Sequence, residues 1–298
     1  MPNLLTAVKT KGILVSDGGW GSFLVARGLR PGESPERWNL DHPDEVRGIA
    51  RMYAEAGADV VLTNTFGGTR FKLEHFGLAD RVGEINETAA RLSREAVGPD
   101  KIVLASMGPT GKILMMGDVS EAELYEAFKE QAVALEKGGA DAVTVETMTA
   151  LDEGGIAVRA AKENTALTIV ASFTFDTKTP QGYRTMMGVS PEMMAEAMLD
   201  AGADVLGANC SLGSGDMVEV IAALHAAAPG IPLIVHPNAG KPEQQPDGSI
   251  VYPETPACMA GNVPALIDAG ASIIGGCCGT GPDHIRAIRA AVDTTLAG

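Results

Sequence analysis

Aromatic residues are scarce in this chain of 298 residues: two Trp, four Tyr and seven Phe amount to 4% of it. Cysteine is scarcer still, at four. So few cysteines in so long a chain exclude a disulfide scaffold and fit a reducing, cytoplasmic setting, where thiols are free to be buried, to react or to bind metal. Positive charge is in deficit, with 23 Lys and Arg against 38 Asp and Glu and a formal net charge of −15. Nucleic acid and anionic membrane both select a basic face, so neither is expected as a partner. No uncharged apolar run approaches the ~18 residues of a membrane span. Residues 1–17 also lack the apolar core and small-residue cleavage site of a secretory signal.

What remains is globular in composition, 45% hydrophobic and 20% charged, with no linker or composition break, so one domain over 1–298 is expected. A phrase recurs: EAGADVVLTN at 55–64, KGGADAVTVE at 137–146, DAGADVLGAN at 200–209 and DAGASIIGGC at 268–277. Each reads as a helix end, a glycine cap and a short strand rich in Val, Ile and Leu. Between them, 13–17, 102–108, 167–175 and 231–238 read as continuous apolar strands of a parallel sheet buried on both faces. Helices are predicted at 42–56, 80–96, 120–137, 152–163, 190–201, 214–227, 262–269 and 282–295, with Ser120 and Ser190 as N-caps. Eight strands alternating with eight helices predict an α/β fold, a (β/α)8 TIM barrel. A doubly wound open sheet ranks second, because no GxGxxG follows the first strand and the repeat runs to the end. The longest predicted loop is 239–261, and Cys258 reads there as a structural or incidental thiol.

A barrel carries its chemistry at the C-terminal ends of its strands. Those ends bring Asp17 with Gly18 and Gly19, then Asn64-Thr65-Phe66, Glu146-Thr147, Asn209-Cys210, His236-Pro237-Asn238 and Cys277-Cys278 to one rim. No lysine stands among them, which argues against a Schiff-base aldolase. Three thiols on one rim suit zinc, which binds Cys sulfur at ~2.3 Å and, in catalytic sites, keeps three protein ligands and one open position. Cys210, Cys277 and Cys278 are the expected ligands, and the glycines around 277–278 let vicinal side chains turn to one ion. Any one of them alone reads as a small core hydrophobe. A three-thiolate zinc is a net anion, poor at making hydroxide and suited to holding a substrate thiol as thiolate. The indicated chemistry is alkyl transfer to sulfur. Asp17 and Glu146 offer carboxylates to the ammonium of an amino-acid thiol, and backbone N–H groups at Gly18 and Gly19 offer donors to its carboxylate. Asn64, Thr65, Phe66 and Asn209 complete the expected substrate-binding set.

DGGWG (17–21), TNTFGGTR (63–70), GPTG (108–111), ET (146–147), GANCS (207–211) and GGCCGT (275–280) together resemble the homocysteine S-methyltransferase family over about 10–295. The resemblance implies that Cys210, Cys277 and Cys278 bind zinc, that the zinc activates homocysteine for methylation to methionine, and that Asp17 and Glu146 hold the amino acid. FTFD (173–176), GANCSLG (207–213) and HPNAGKP (236–242) look most like the homocysteine-binding module of cobalamin-dependent methionine synthase. That likeness implies Asn238 as a fourth ligand when homocysteine is absent. GESPERWN (32–39) and RTMMG (184–188) also resemble bacterial betaine–homocysteine methyltransferases.

The corrinoid signature DxHxxG is absent from these residues. The expected methyl donor is therefore a methyl-corrinoid (cobalamin) protein acting in trans, with betaine or a sulfonium compound as the alternative and homo-oligomerisation open. A quaternary ammonium donor calls for an aromatic cage, for which Trp20, Trp38, Phe66, Phe71 and Tyr183 are candidates. Met115, Met116, Met186 and Met187 are candidates to line a donor pocket. Two readings of other classes stand beside these. GGCCGTG resembles a phosphate cradle of a barrel lyase, and the chain also fits a non-catalytic module that binds homocysteine and zinc.

Overall fold

The computed structural model describes residues 3–245 and 250–297. Eight parallel strands form one sheet: β1 (Leu14–Val15), β2 (Val60–Leu62), β3 (Ile102–Met107), β4 (Ala142–Met148), β5 (Thr168–Phe173), β6 (Val205–Asn209), β7 (Leu233–His236) and β8 (Ala271–Ile274). Their order is β1-β8-β7-β6-β5-β4-β3-β2, and a parallel bridge from Ser16 to Val60 joins the two ends. One helix follows each strand in the outer ring: α1 (Pro43–Glu55), α2 (Val82–Val97), α3 (Glu121–Lys137), α4 (Leu151–Asn164), α5 (Pro191–Ala201), α6 (Ser214–Ala227), α7 (Pro256–Asp268) and α8 (Pro282–Ala297). This is the expected (β/α)8 TIM barrel. Among the described residues no helix is long and apolar enough to cross a membrane.

Burial on both faces explains the apolar strands. Leu14, Val60, Leu104, Val170, Val205 and Ile273 fill the barrel interior, and the N-terminal helix Leu4–Lys11 plugs its lower end with Leu4 and Val8. Side chains pointing the other way, such as Val61, Val143 and Ile169, pack under the helices.

The recurring Gly-Ala-Asp has a specific structural use. Asp59 N donates to Val15 O at 2.7 Å while Val15 N donates to Asp59 Oδ2 at 3.0 Å. Asp141 repeats this clip with Val103, and Asp204 repeats it with Ile169. Each even strand thus grips the strand before it from the N-terminal end. Cations neutralise all three carboxylates: Lys11 and Arg289 at Asp59, Arg94 at Asp141 and Lys162 at Asp204. In the fourth copy of the phrase Ser272 replaces the aspartate, and it forms no such clip among the described residues.

The segment predicted as a long loop departs most from expectation. Helix α7 starts at Pro256, six residues before the predicted 262, with Thr255 capping it by accepting from Cys258 N at 3.3 Å. Cys258 is an exposed residue of the first helical turn and not a loop thiol. The internal Pro264, which removes one helical N–H, masked the earlier start. A short hairpin pairs Glu243–Gln244 with Ile250–Val251 ahead of it, and the part of the predicted loop at 246–249 lies outside the described residues.

Candidate metal and substrate site

The strands' C-terminal ends open on a cavity of about 510 Å³. Cys210, Cys277 and Cys278 line it together with Glu146, His236 and Tyr252. The three sulfurs lie within 4.8 Å of one another, and all three cysteines are free of disulfides. Cys277 Sγ and Cys278 Sγ are 3.9 Å apart. Two sulfurs on a tetrahedral zinc, each at ~2.3 Å, sit ~3.8 Å from one another, so the donor set and spacing fit that ion.

The backbone bends to bring them together. Cys210 and Ser211 have φ of 64° and 59°, in the left-handed region that non-glycine residues avoid, so the chain turns sharply as it leaves β6. The turn is held by a bond from Cys210 N to His236 O at 3.0 Å and by one between the Ser211 and Thr174 hydroxyls at 2.7 Å. Cys277 N donates to Pro237 O at 2.8 Å, and Cys278 N donates to Asn238 Oδ1 at 3.1 Å. Asn238 N in turn reaches Leu212 O at 2.9 Å, so Asn238 ties together the loops after β6, β7 and β8. Hydrogen bonds with Cys210 and Cys278, then burial, hold the Cys277 thiol well above its ordinary value. Hydrogen bonds from Cys210 and Cys277 hold Cys278 well below it. Packed so closely, the trio favours one thiolate among the three; a dication lets all three ionise.

Glu146 lines the cavity from the end of β4, and Ser106 Oγ on β3 donates to its carboxylate. Burial pushes Glu146 up to about 7. Burial also pushes Asp17 up to about 7, but Asp17 lies beneath the wall instead of lining it. Its Oδ2 accepts from Trp20 Nε1 at 2.9 Å and from Leu62 N at 2.8 Å. Gly18 and Gly19 line the cavity, yet the Gly19 N–H expected to receive a substrate carboxylate already donates to Thr280 Oγ1 at 3.0 Å. Thr280 Oγ1 then donates to Cys277 O at 2.6 Å, stapling the first strand end to the cysteine loop.

Asn64, Thr65 and Phe66 line the cavity as well. Asn64 Nδ2 braces the 35–39 segment through Pro35 O at 2.7 Å, and Thr65 Oγ1 reaches Ser106 O at 2.7 Å. Asn209 sits behind the wall, where Oδ1 accepts from Thr147 N at 2.9 Å and Ser172 Oγ at 2.8 Å. That grip holds Thr147 at a φ of 59° and so aims the adjacent Glu146. His236 is buried on the cavity wall, and burial lowers it to about 4.

Of the aromatic candidates, Trp20 and Phe66 reach the cavity. Trp38 is instead buried against His42, Phe71 sits under Lys112, and the Tyr183 hydroxyl binds Asp216. Met115, Met116, Met186 and Met187 stand exposed outside the cavity. Ser106, Tyr252 and Thr280 are the residues that sequence reasoning missed. Thr280, inside GGCCGT, carried the one usable signal.

Known proteins resemble this chain. The profile of the homocysteine S-methyltransferase family matches residues 14–292. The chain is 34% identical over 308 residues to methionine synthase of Mycobacterium tuberculosis, and 35% identical over 297 residues to that of Mycobacterium leprae. Those matches cover 97% and 94% of this chain but only 25% and 24% of the relatives' own length. The oxidized form of the homocysteine methyltransferase MmuM from Escherichia coli matches with a TM-score of 0.77 at 25% identity, over 97% of this chain and 99% of that one. With the profile running through the whole barrel and both cysteine loops, the chain belongs to the homocysteine S-methyltransferase family.

Proposed function

We propose that this chain methylates the thiol of homocysteine, giving methionine, at a zinc ion held by Cys210, Cys277 and Cys278. One observation carries the reading: three thiols from two strand ends converge at zinc spacing on a cavity that also holds a buried carboxyl, Glu146. Bound zinc supplies the Lewis acidity that keeps a substrate sulfur deprotonated and nucleophilic near neutral pH.

The chain's own residues do the positioning. Glu146, when ionised, receives the substrate ammonium, with Ser106 orienting its carboxylate. Asp17 supports that pocket by fixing Trp20 and the end of β2. Asn238, whose Oδ1 accepts from Cys278 N, would be the fourth group on the ion when substrate is away. His236, kept neutral by burial, adds no positive charge beside the ion. The substrate sulfur attacks the donor's methyl carbon in line. The S–C bond forms as the donor–methyl bond breaks, and the donor leaves with that electron pair.

The methyl comes from a methyl-corrinoid in this reading, since the chain resembles one portion of much longer methionine synthases. A small onium donor, betaine or a sulfonium, is the second reading. The cavity itself favours it, with the rings of Trp20, Phe66 and Tyr252, the carboxyls of Glu36 and Glu146, and no Lys or Arg among its lining.

The test is zinc content by atomic absorption, followed by methionine formation from homocysteine in separate arms: a methylcobalamin-loaded carrier, free methylcobalamin, betaine and S-methylmethionine. Zinc-dependent methionine in any arm supports the proposal and names the donor. Zinc-loaded protein that binds homocysteine but stays silent in every arm is a binding module instead. Protein that takes no zinc and binds phosphate esters is a phosphate-binding barrel.

A further inference from the structure

Before α7 begins, the chain crosses back over the loops that carry the cysteines, and it does so on glycines. A Cβ on Gly279, next to Cys278, would lie 2.3 Å from Tyr252 Cγ. One on Gly240, two residues after Asn238, would lie 2.9 Å from Pro253 Cδ. One on Gly213, three after Cys210, would lie 2.2 Å from Glu254 Oε1. Three separate loops therefore leave a track of bare backbone along which residues 252–254 run.

The far end of the track is fastened. Glu254 N donates to Ala239 O at 2.8 Å, and Glu254 Oε2 accepts from Ser214 Oγ at 2.6 Å. Asn262 Nδ2 on α7 donates to the same Ser214 Oγ at 2.8 Å, and His284 Nε2 on α8 lies 3.0 Å from Glu254 O. At the near end the Tyr252 ring lies on Gly279, beside Cys278, and borders the cavity.

We propose that residues 252–254 are a strap that locks the three metal-site loops together, and that the Tyr252 ring is its near-end fastening over the Cys278 loop. The inference rests on the zinc reading above. Holding the loops in register keeps the three thiols at the spacing one ion needs, and the ring shields the Cys278 sulfur from solvent.

Two variants test the strap. Tyr252→Phe keeps the ring on Gly279 and removes the hydroxyl; Tyr252→Ala removes both. In zinc-loaded protein, Tyr252→Ala is expected to lose zinc to a chelator roughly tenfold faster than wild type, while Tyr252→Phe, which keeps the ring, holds it as wild type does. In metal-free protein, iodoacetamide alkylation of Cys278 is expected to stay at the wild-type rate in Tyr252→Phe and to rise roughly tenfold in Tyr252→Ala. Wild-type zinc retention in Tyr252→Ala overturns the strap's hold on the loops, and wild-type alkylation in Tyr252→Ala overturns its cover. The alkylation arm needs neither zinc nor turnover, so it judges the strap even where the methyl-transfer reading fails.

Discussion

At the N-terminal rim of the barrel three carboxylates are each claimed twice. Asp59, Asp141 and Asp204 accept from a neighbouring strand and face a cation, and of their oxygens only Asp141 Oδ1 is buried without a partner among the described residues. At the opposite rim Asp17 and Glu146 are fully as buried, yet no Lys or Arg lines the cavity beside them, and burial pushes both up to about 7. His236 Nε2, also there, is buried with no partner among the described residues. The two rims use the same residue types in opposite ways. One rim pairs its carboxylates with cations inside the fold; at the other, Glu146 faces the cavity with no cation beside it. Burial alone does not distinguish a stabilising carboxylate from a functional one, and the neighbours do.

The contrast can be broken from either end. The largest effect is expected from Cys277→Ala, which should lose bound zinc by atomic absorption and reduce methionine formation more than ~100-fold, with little change in the thermal melt. Asp141→Asn should do the reverse. Urea unfolding is expected to report a loss of about 2 kcal/mol, since Arg94 loses its buried partner, while zinc content and kcat/KM stay at wild type. Glu146→Gln should leave stability unchanged or higher and raise KM for homocysteine roughly tenfold. Its pH profile supplies the sign. A carboxyl raised to about 7 is protonated below that pH, so wild-type KM should climb as pH falls through 7, and the Gln variant should flatten that climb. The smallest effect belongs to Cys258→Ser, an exposed helical residue outside both rims, expected within about 0.5 kcal/mol and at full activity.

The alternation of strands and helices was legible because a local phrase, Gly-Ala-Asp or in its last copy Gly-Ala-Ser, recurs where a helix passes into an even strand. The cysteine trio was legible because strand ends of a barrel share a rim whatever their spacing along the chain. Tyr252 was not, since its place depends on how a long segment folds back, and that is decided by glycines on three other loops. The left-handed turn at Cys210 was equally hidden, because nothing in Asn-Cys-Ser announces a positive φ. The start of α7 was obscured for a simpler reason: Pro264 suits a helix's first turn, and it sits here in the interior.

The aspartate clips also bear on the order in which the barrel forms. They join residues 44, 38 and 35 apart, short closures that fold early at modest entropic cost. The quarter formed by β7 and β8 has no clip among the described residues, and its bond from Gly19 to Thr280 spans 261 residues. Pulse-labelled hydrogen exchange should therefore find the amides of Val103 and Ile169 protected before those of Ser16 and Gly276. The cysteine loops would then be the last part of the ring to assemble, so that metal meets a scaffold already three-quarters built.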